Sequence, residues 1–167
     1  MIKSKTSISI ILLLLFALLA GYSTQVIAGS AGPYASGHGN LVEEGDLRTF
    51  SFHARELKNS KVIGSLVLKN RSVGVRVKAK LDCLEINGNQ ATMSGIITQI
   101  MGEGLDSLLG DEVWFRVEDN GEGFRNTGDR MTLLIVEVDE PPDPDECTED
   151  LGLGLMNIRA GNIQVNP

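Results

Sequence analysis

Residues 73–83, VGVRVKAKLDC, alternate without a break. Val73, Val75, Val77, Ala79, Leu81 and Cys83 fall on one side of an extended chain, and Gly74, Arg76, Lys78, Lys80 and Asp82 on the other. A side-chain period of two marks a strand with one face on a core and one in water. The parity changes after Cys83, where Leu84 and Ile86 are apolar. A one-residue shift of this kind predicts a β-bulge or a strand covered on both faces. Asn87-Gly88-Asn89 then supplies a hairpin turn, because asparagine and glycine tolerate positive φ, and residues 91–100 are expected to return antiparallel.

The same period extends outward from this hairpin. Phe50, Phe52 and Ala54 alternate with Ser51, His53 and Arg55. Val62, Gly64, Leu66 and Leu68 alternate with Ile63, Ser65, Val67 and Lys69, a pattern open to burial on both faces. Residues 112–118 place Val113, Phe115 and Val117 opposite Trp114 and Arg116. Residues 131–138 form a further apolar strand, and Gly161-Asn162 reads as a turn before a last strand at 163–165. Residues 102–110 carry Leu105, Leu108 and Leu109, enough for one helical turn. The small-residue stretch 29–39 reads as an extended or loose lead-in, Pro141-Pro142-Asp143-Pro144 as irregular, and 151–158 as ambiguous. The fold expected is all-β, a single antiparallel β-sandwich or small β-barrel of about seven to eight strands.

Ahead of this domain, residues 1–28 read as a cleavable signal peptide. Lys3 and Lys5 precede the apolar run from Ile8 to Ala20, and Val26-Ile27-Ala28 presents a peptidase site. The run of about 13 residues falls short of the ~20 that a membrane-spanning helix needs, and an uncleaved anchor is the rival reading. Tyr22 stands where a lipoprotein would have its cysteine. The expected product is a single secreted, periplasmic or cell-surface domain, residues 29–167. Cleavage removes two lysines and no acid, so its formal charge is 13 − 22 = −9. Such a balance leaves no electrostatic footprint for nucleic acid or an anionic membrane; it favours solubility and leaves cation binding open.

Cys83 and Cys147 are the two cysteines. In an exported chain an even pair predicts a disulfide, with two free thiols as the alternative in a reducing compartment.

The order of several landmarks carries a resemblance. They are Ala35-Ser36-Gly37-His38-Gly39, then Thr49-Phe50-Ser51-Phe52-His53-Ala54, then Leu84-Glu85-Ile86-Asn87-Gly88-Asn89-Gln90-Ala91. Val117-Glu118-Asp119-Asn120-Gly121-Glu122 and Gly161-Asn162-Ile163-Gln164-Val165 complete the series. It resembles secreted bacterial β modules catalogued as post-COAP-type domains, with His38 where that pattern has a glycine. The resemblance implies fold and compartment, and carries no catalytic residue.

Candidate chemistry is compositional. Asp119, Asn120, Glu122 and Asp129, with Glu118 and three glycines nearby, could supply oxygens to calcium; the alternative is a solvated hairpin loop. Asp143, Asp145, Glu146, Glu149 and Asp150 form a second acidic cluster, most simply a solvated loop. His38 and His53 could hold zinc or copper with a carboxylate if their strands are adjacent, but they lack metal-ligand spacing, and His53, opposite Phe50 and Phe52, is expected to be exposed. Trp114 and Arg116 could form a sugar- or peptide-binding platform, or Trp114 could pack inside. Asn70-Arg71-Ser72 fits a glycosylation sequon. No nucleophile elbow, metalloprotease helix or phosphate loop occurs in the sequence.

These readings converge on a non-catalytic secreted or cell-surface module acting in adhesion, matrix or partner binding, with a protein or glycan as partner. No cofactor is expected apart from the calcium candidate, and no nucleic acid or stable membrane insertion of the mature chain. A small-ligand carrier using a barrel interior is the first alternative, and a small secreted hydrolase or isomerase the second. A filled or a hollow interior discriminates between them.

Overall fold

The computed structural model describes residues 32–43, 45–102, 106–121, 128–136, 147 and 152–167. The expected signal peptide, Glu122 and the acidic cluster 143–150 lie outside the described residues, apart from Cys147.

Among the described residues nine antiparallel strands form one curled, half-barrel sheet. They are β1 (Tyr34–Glu43), β2 (Asp46–Glu56), β3 (Val62–Asn70), β4 (Val75–Asn87), β5 (Gln90–Met101), β6 (Glu112–Glu118), β7 (Arg130–Val136), β8 (Met156–Asn157) and β9 (Ala160–Asn166). A 3-10 turn, Asp106–Leu108, stands where one helical turn was expected. The spatial order is β8-β7-β6-β5-β4-β3-β2-β1-β9. The strands thus belong to one sheet, not to the two packed sheets of a sandwich. The count exceeds the expected seven to eight because the lead-in is a full strand and a two-residue strand precedes the last one.

The central hairpin follows the alternation, with corrections at its ends. Val77, Ala79 and Leu81 are buried, whereas Val73 lies outside β4 and is 64% exposed. Val75, Arg76 and Lys78 are half-buried and Lys80 is exposed. Two register shifts interrupt the β4–β5 ladder, between Lys78 and Ala79 and between Leu81 and Cys83. The first leaves Thr98 of β5 as the extra residue, the second Asp82 of β4. The Asp82 bulge is the parity change anticipated from the sequence. It turns Leu84 and Ile86 onto the core and moves Cys83 to the outer face, opposite the side its alternation implied. Bulges bend a strand and increase its twist, so two in one ladder curl the sheet.

The hairpin turn also shifts by one residue from expectation. Asn87 pairs with Gln90, so Gly88 and Asn89 occupy the two central positions. Gly88 has φ 63° while Asn89 is not in the positive-φ region, the pattern of a type II′ turn.

β3 is not buried on both faces, since Ile63 is 44% exposed. Gly161-Asn162 is no turn but part of β9. β1 escaped the hydrophobic pattern because its core side carries glycines. A Cβ on Gly37 would sit 2.7 Å from the Phe52 ring, and one on Gly39 3.0 Å from the Phe50 ring. The aromatic rings of β2 lie over the β1 backbone and supply the apolar cover that β1 lacks.

The concave side is filled by its own side chains. Phe52 of β2 meets Phe115 of β6 edge-on, with ring centroids 5.3 Å apart, across the three intervening strands of the sheet. Leu41, Leu66, Leu81, Met93, Met131 and Ile163, all under 2% exposed, complete this core.

The two edges of the curl are bridged by residues 156–166. Met156 pairs with Met131 of β7, the Ile158 N–H donates to the Asp129 carbonyl (3.0 Å), and the Arg159 N–H to the Asn40 carbonyl (2.8 Å). From Ala160 onward the same segment runs antiparallel to β1.

Candidate functional site

Asp119, Asn120 and Asp129, three of the four calcium candidates, come together where β6 leaves the sheet and β7 begins. Each carboxylate oxygen accepts a backbone N–H. Asp119 takes Gly121 at 2.8 Å on Oδ1 and Val165 at 3.1 Å on Oδ2. Asp129, 6% exposed, takes Asn120 at 3.0 Å on Oδ1 and Ile163 at 2.7 Å on Oδ2. Asn120 donates to the Gly128 carbonyl and Asn89 donates to the Asp119 carbonyl. The Ile163 and Val165 N–H groups lie on the edge of β9 turned away from β1, so the two aspartates satisfy a strand edge that has no neighbouring strand among the described residues. A carboxylate in this position forms charge-assisted bonds, stronger than a neutral carbonyl would. Among the described residues no group of three or more His, Cys, Asp or Glu is arranged to hold a metal ion.

Glu118, read with the loop, is instead the last residue of β6 and 5% exposed. It lies in a cross-strand row with Gln90 and Arg130. Burial pushes its carboxyl upward. Hydrogen bonds from Arg130, Asn120 and Gln90, with the Arg130 charge, outweigh that and hold it below the ordinary glutamate range. Asp46 is also held low, chiefly by the Asn70 amide at 3.0 Å and by Ser72, with a smaller contribution from Arg48. The sequon Asn70 is thus engaged on both sides, since its Oδ1 accepts the Ser72 N–H.

Trp114 is not an exposed platform. It faces away from the main core but is 2% exposed, with the Arg116 guanidinium carbon 5.3 Å from the ring centroid. Its outer-face neighbours Thr92, Ser94 and Thr132 are buried too. Cys83, Ser94 and Trp114 occupy one cross-strand row. Cys147, 3% exposed, is bonded to Cys83 with Cα atoms 6.0 Å apart, as the even cysteine count predicted.

The histidines lie on the outer face of β1 and β2. His53 is exposed, as its alternation implied, with Nδ1 3.3 Å from Ser65 Oγ. Their surroundings were not legible in the sequence. The register sets three outer rows across β1–β4: Ser36, His53, Ser65 and Lys80; His38, Ser51, Val67 and Lys78; Asn40, Thr49, Lys69 and Arg76. These rows contain four Lys or Arg, several hydroxyls and no carboxylate. Lys69 stands directly opposite Arg76. Each strand's alternation marks a wet face, but only the register assembles this one.

Two shallow depressions flank this region. One of about 290 Å³ is lined by Tyr34, Ser36, His53, Arg55 and Ile63. The other, about 370 Å³, lies at the sheet closure between Gly128, Asp129, Arg159 and Gly161.

Compared with known proteins, the chain matches no family model, no curated protein and no solved structure.

Proposed function

We propose that this chain is a non-catalytic secreted or cell-surface module that binds a partner through the outside of its sheet. The observation that carries this reading is the filled interior. A carrier needs an empty lumen, and the Phe52–Phe115 contact takes up the space between opposite walls of the curl. The broad outer face of β1–β4, ordered by long strands, is the surface left for recognition. The likeness to post-COAP-type modules points the same way, toward an exported β domain. No observation among the described residues favours the carrier or the hydrolase reading.

The test is retention. Fluorescently labelled protein, purified after expression of the full chain, is added to intact producer cells and their matrix and competed with unlabelled protein. Saturable, competable retention is expected, with no stoichiometric uptake of an apolar probe such as a long-chain fatty acid. Stoichiometric uptake of that probe without retention would replace the module with the carrier.

A further inference from the structure

We propose that the outer face of β1–β4 is a binding surface for an anionic polysaccharide; this rests on the binding-module reading and names its partner class. The charge is segregated. The expected mature chain carries −9, yet the three rows described above hold Lys69, Arg76, Lys78 and Lys80 without one carboxylate. Like charges directly opposite on neighbouring strands destabilise a sheet, and Lys69 faces Arg76 in this way. A bound anion would relieve this repulsion.

The remaining chemistry of the face favours a sugar chain over other polyanions. Beside the cations, toward β1, stand Ser65, Ser51 and Thr49, with Asn40 at the margin, groups that both donate to and accept from sugar hydroxyls. The patch spans about 14 Å across the strands and about 14 Å along them, from ordinary strand spacings. That is on the order of 200 Å², far below the ~800 Å² each side of a typical protein–protein interface buries. It fits a narrow chain that repeats its charge and gains avidity from many copies. Base stacking needs aromatic rings, and no Phe, Tyr or Trp stands in these rows. Insertion into a lipid surface needs large apolar groups, and Val67, the sole aliphatic in the rows, is half-buried.

The experiment measures binding of the purified protein to immobilised polygalacturonate, with neutral dextran, phosphatidylglycerol vesicles and single-stranded DNA as comparisons. Polygalacturonate is expected to bind and dextran not, with affinity falling at least about tenfold from low to high salt as charge is screened. K78E/K80E should weaken binding at least about tenfold, and the milder K78Q/K80Q severalfold with an unchanged melting curve. K58E/K61E, which makes the same charge change in the exposed turn between β2 and β3, should bind as the parent does. Equal loss in K58E/K61E, or preference for vesicles or DNA, would overturn the inference. No polygalacturonate binding, with cell retention intact, would also overturn it while leaving the binding-module reading standing.

Discussion

Glu118 and Arg130 face each other across β6 and β7, and the arginine Nη2 lies 2.6 Å from Oε1 and 2.7 Å from Oε2 of the one carboxylate. The Glu118 side chain is 7% exposed and that of Arg130 39%. Because hydrogen bonding depresses the folded-state pKa, the stabilisation is fully present above the unfolded value, near 4.5, and is lost as pH falls through the folded one. Glu118→Gln should cost about 1–3 kcal/mol at pH 7. The difference between parent and variant in urea melts should shrink below pH 4.5. A difference that stays constant to pH 2 would show that the carboxylate charge contributes nothing.

Asp129→Ala removes the acceptor of the Asn120 and Ile163 N–H groups. It should destabilise by roughly 2–4 kcal/mol, since the Ile163 amide is left buried without its acceptor. Hydrogen exchange at Ile163 and Val165 should accelerate more than at Leu81 in the sheet centre. Unchanged exchange at Ile163 would show that the aspartate does not hold that edge.

Reducing Cys83–Cys147, or replacing both residues with serine, should lower stability by about 4 kcal/mol for a separation of 64 residues. Trp114 is the single tryptophan and lies in the Cys83 row, so its emission should shift to the red on reduction. An unshifted emission would mean that the tryptophan's cover does not depend on the disulfide.

Val77→Asp places an unpaired charge at a position 3% exposed and should cost several kcal/mol, enough to unfold an ordinary domain. Lys78→Asp, one residue along on the outer face, should change stability by under about 1 kcal/mol. Chemical denaturation of the two variants compares the faces directly, and a more damaging Lys78 variant would reverse them.

Much of the sheet was legible because a period of two encodes the face of each side chain. Phe50, Phe52 and Val77 sit on the core face their alternation assigned, and the parity change read after Cys83 is a bulge that lies one residue earlier, at Asp82. β1 was missed because its cover is donated by β2; Gly37 and Gly39 carry no hydrophobic signal of their own. The aspartates of the calcium candidate were conspicuous, but carboxylates in a glycine-rich loop serve a backbone N–H as readily as a cation. Composition alone did not show that Asp119 and Asp129 accept backbone N–H groups of β9. The basic face was invisible for a different reason. Lys69 and Lys80 are 11 positions apart in the chain, and only the β3–β4 register places them on one surface, Lys69 opposite Arg76 and Lys80 opposite Ser65.

The bridging of β7 and β1 by residues 156–166 has a consequence for assembly. Tyr34 pairs with Asn166, so the first described strand waits for nearly the last residue before its edge is covered. Until then β1 presents an unpaired row of backbone groups, as β7 does at Arg130 and Met131, and loop closure over so long a stretch is slow. The same segment from a neighbouring copy satisfies those rows equally well, with the same register and the same two aspartates. Strand exchange between copies is therefore the characteristic misassembly of this architecture. High concentration during refolding should drive the chain toward intertwined dimers that persist after dilution.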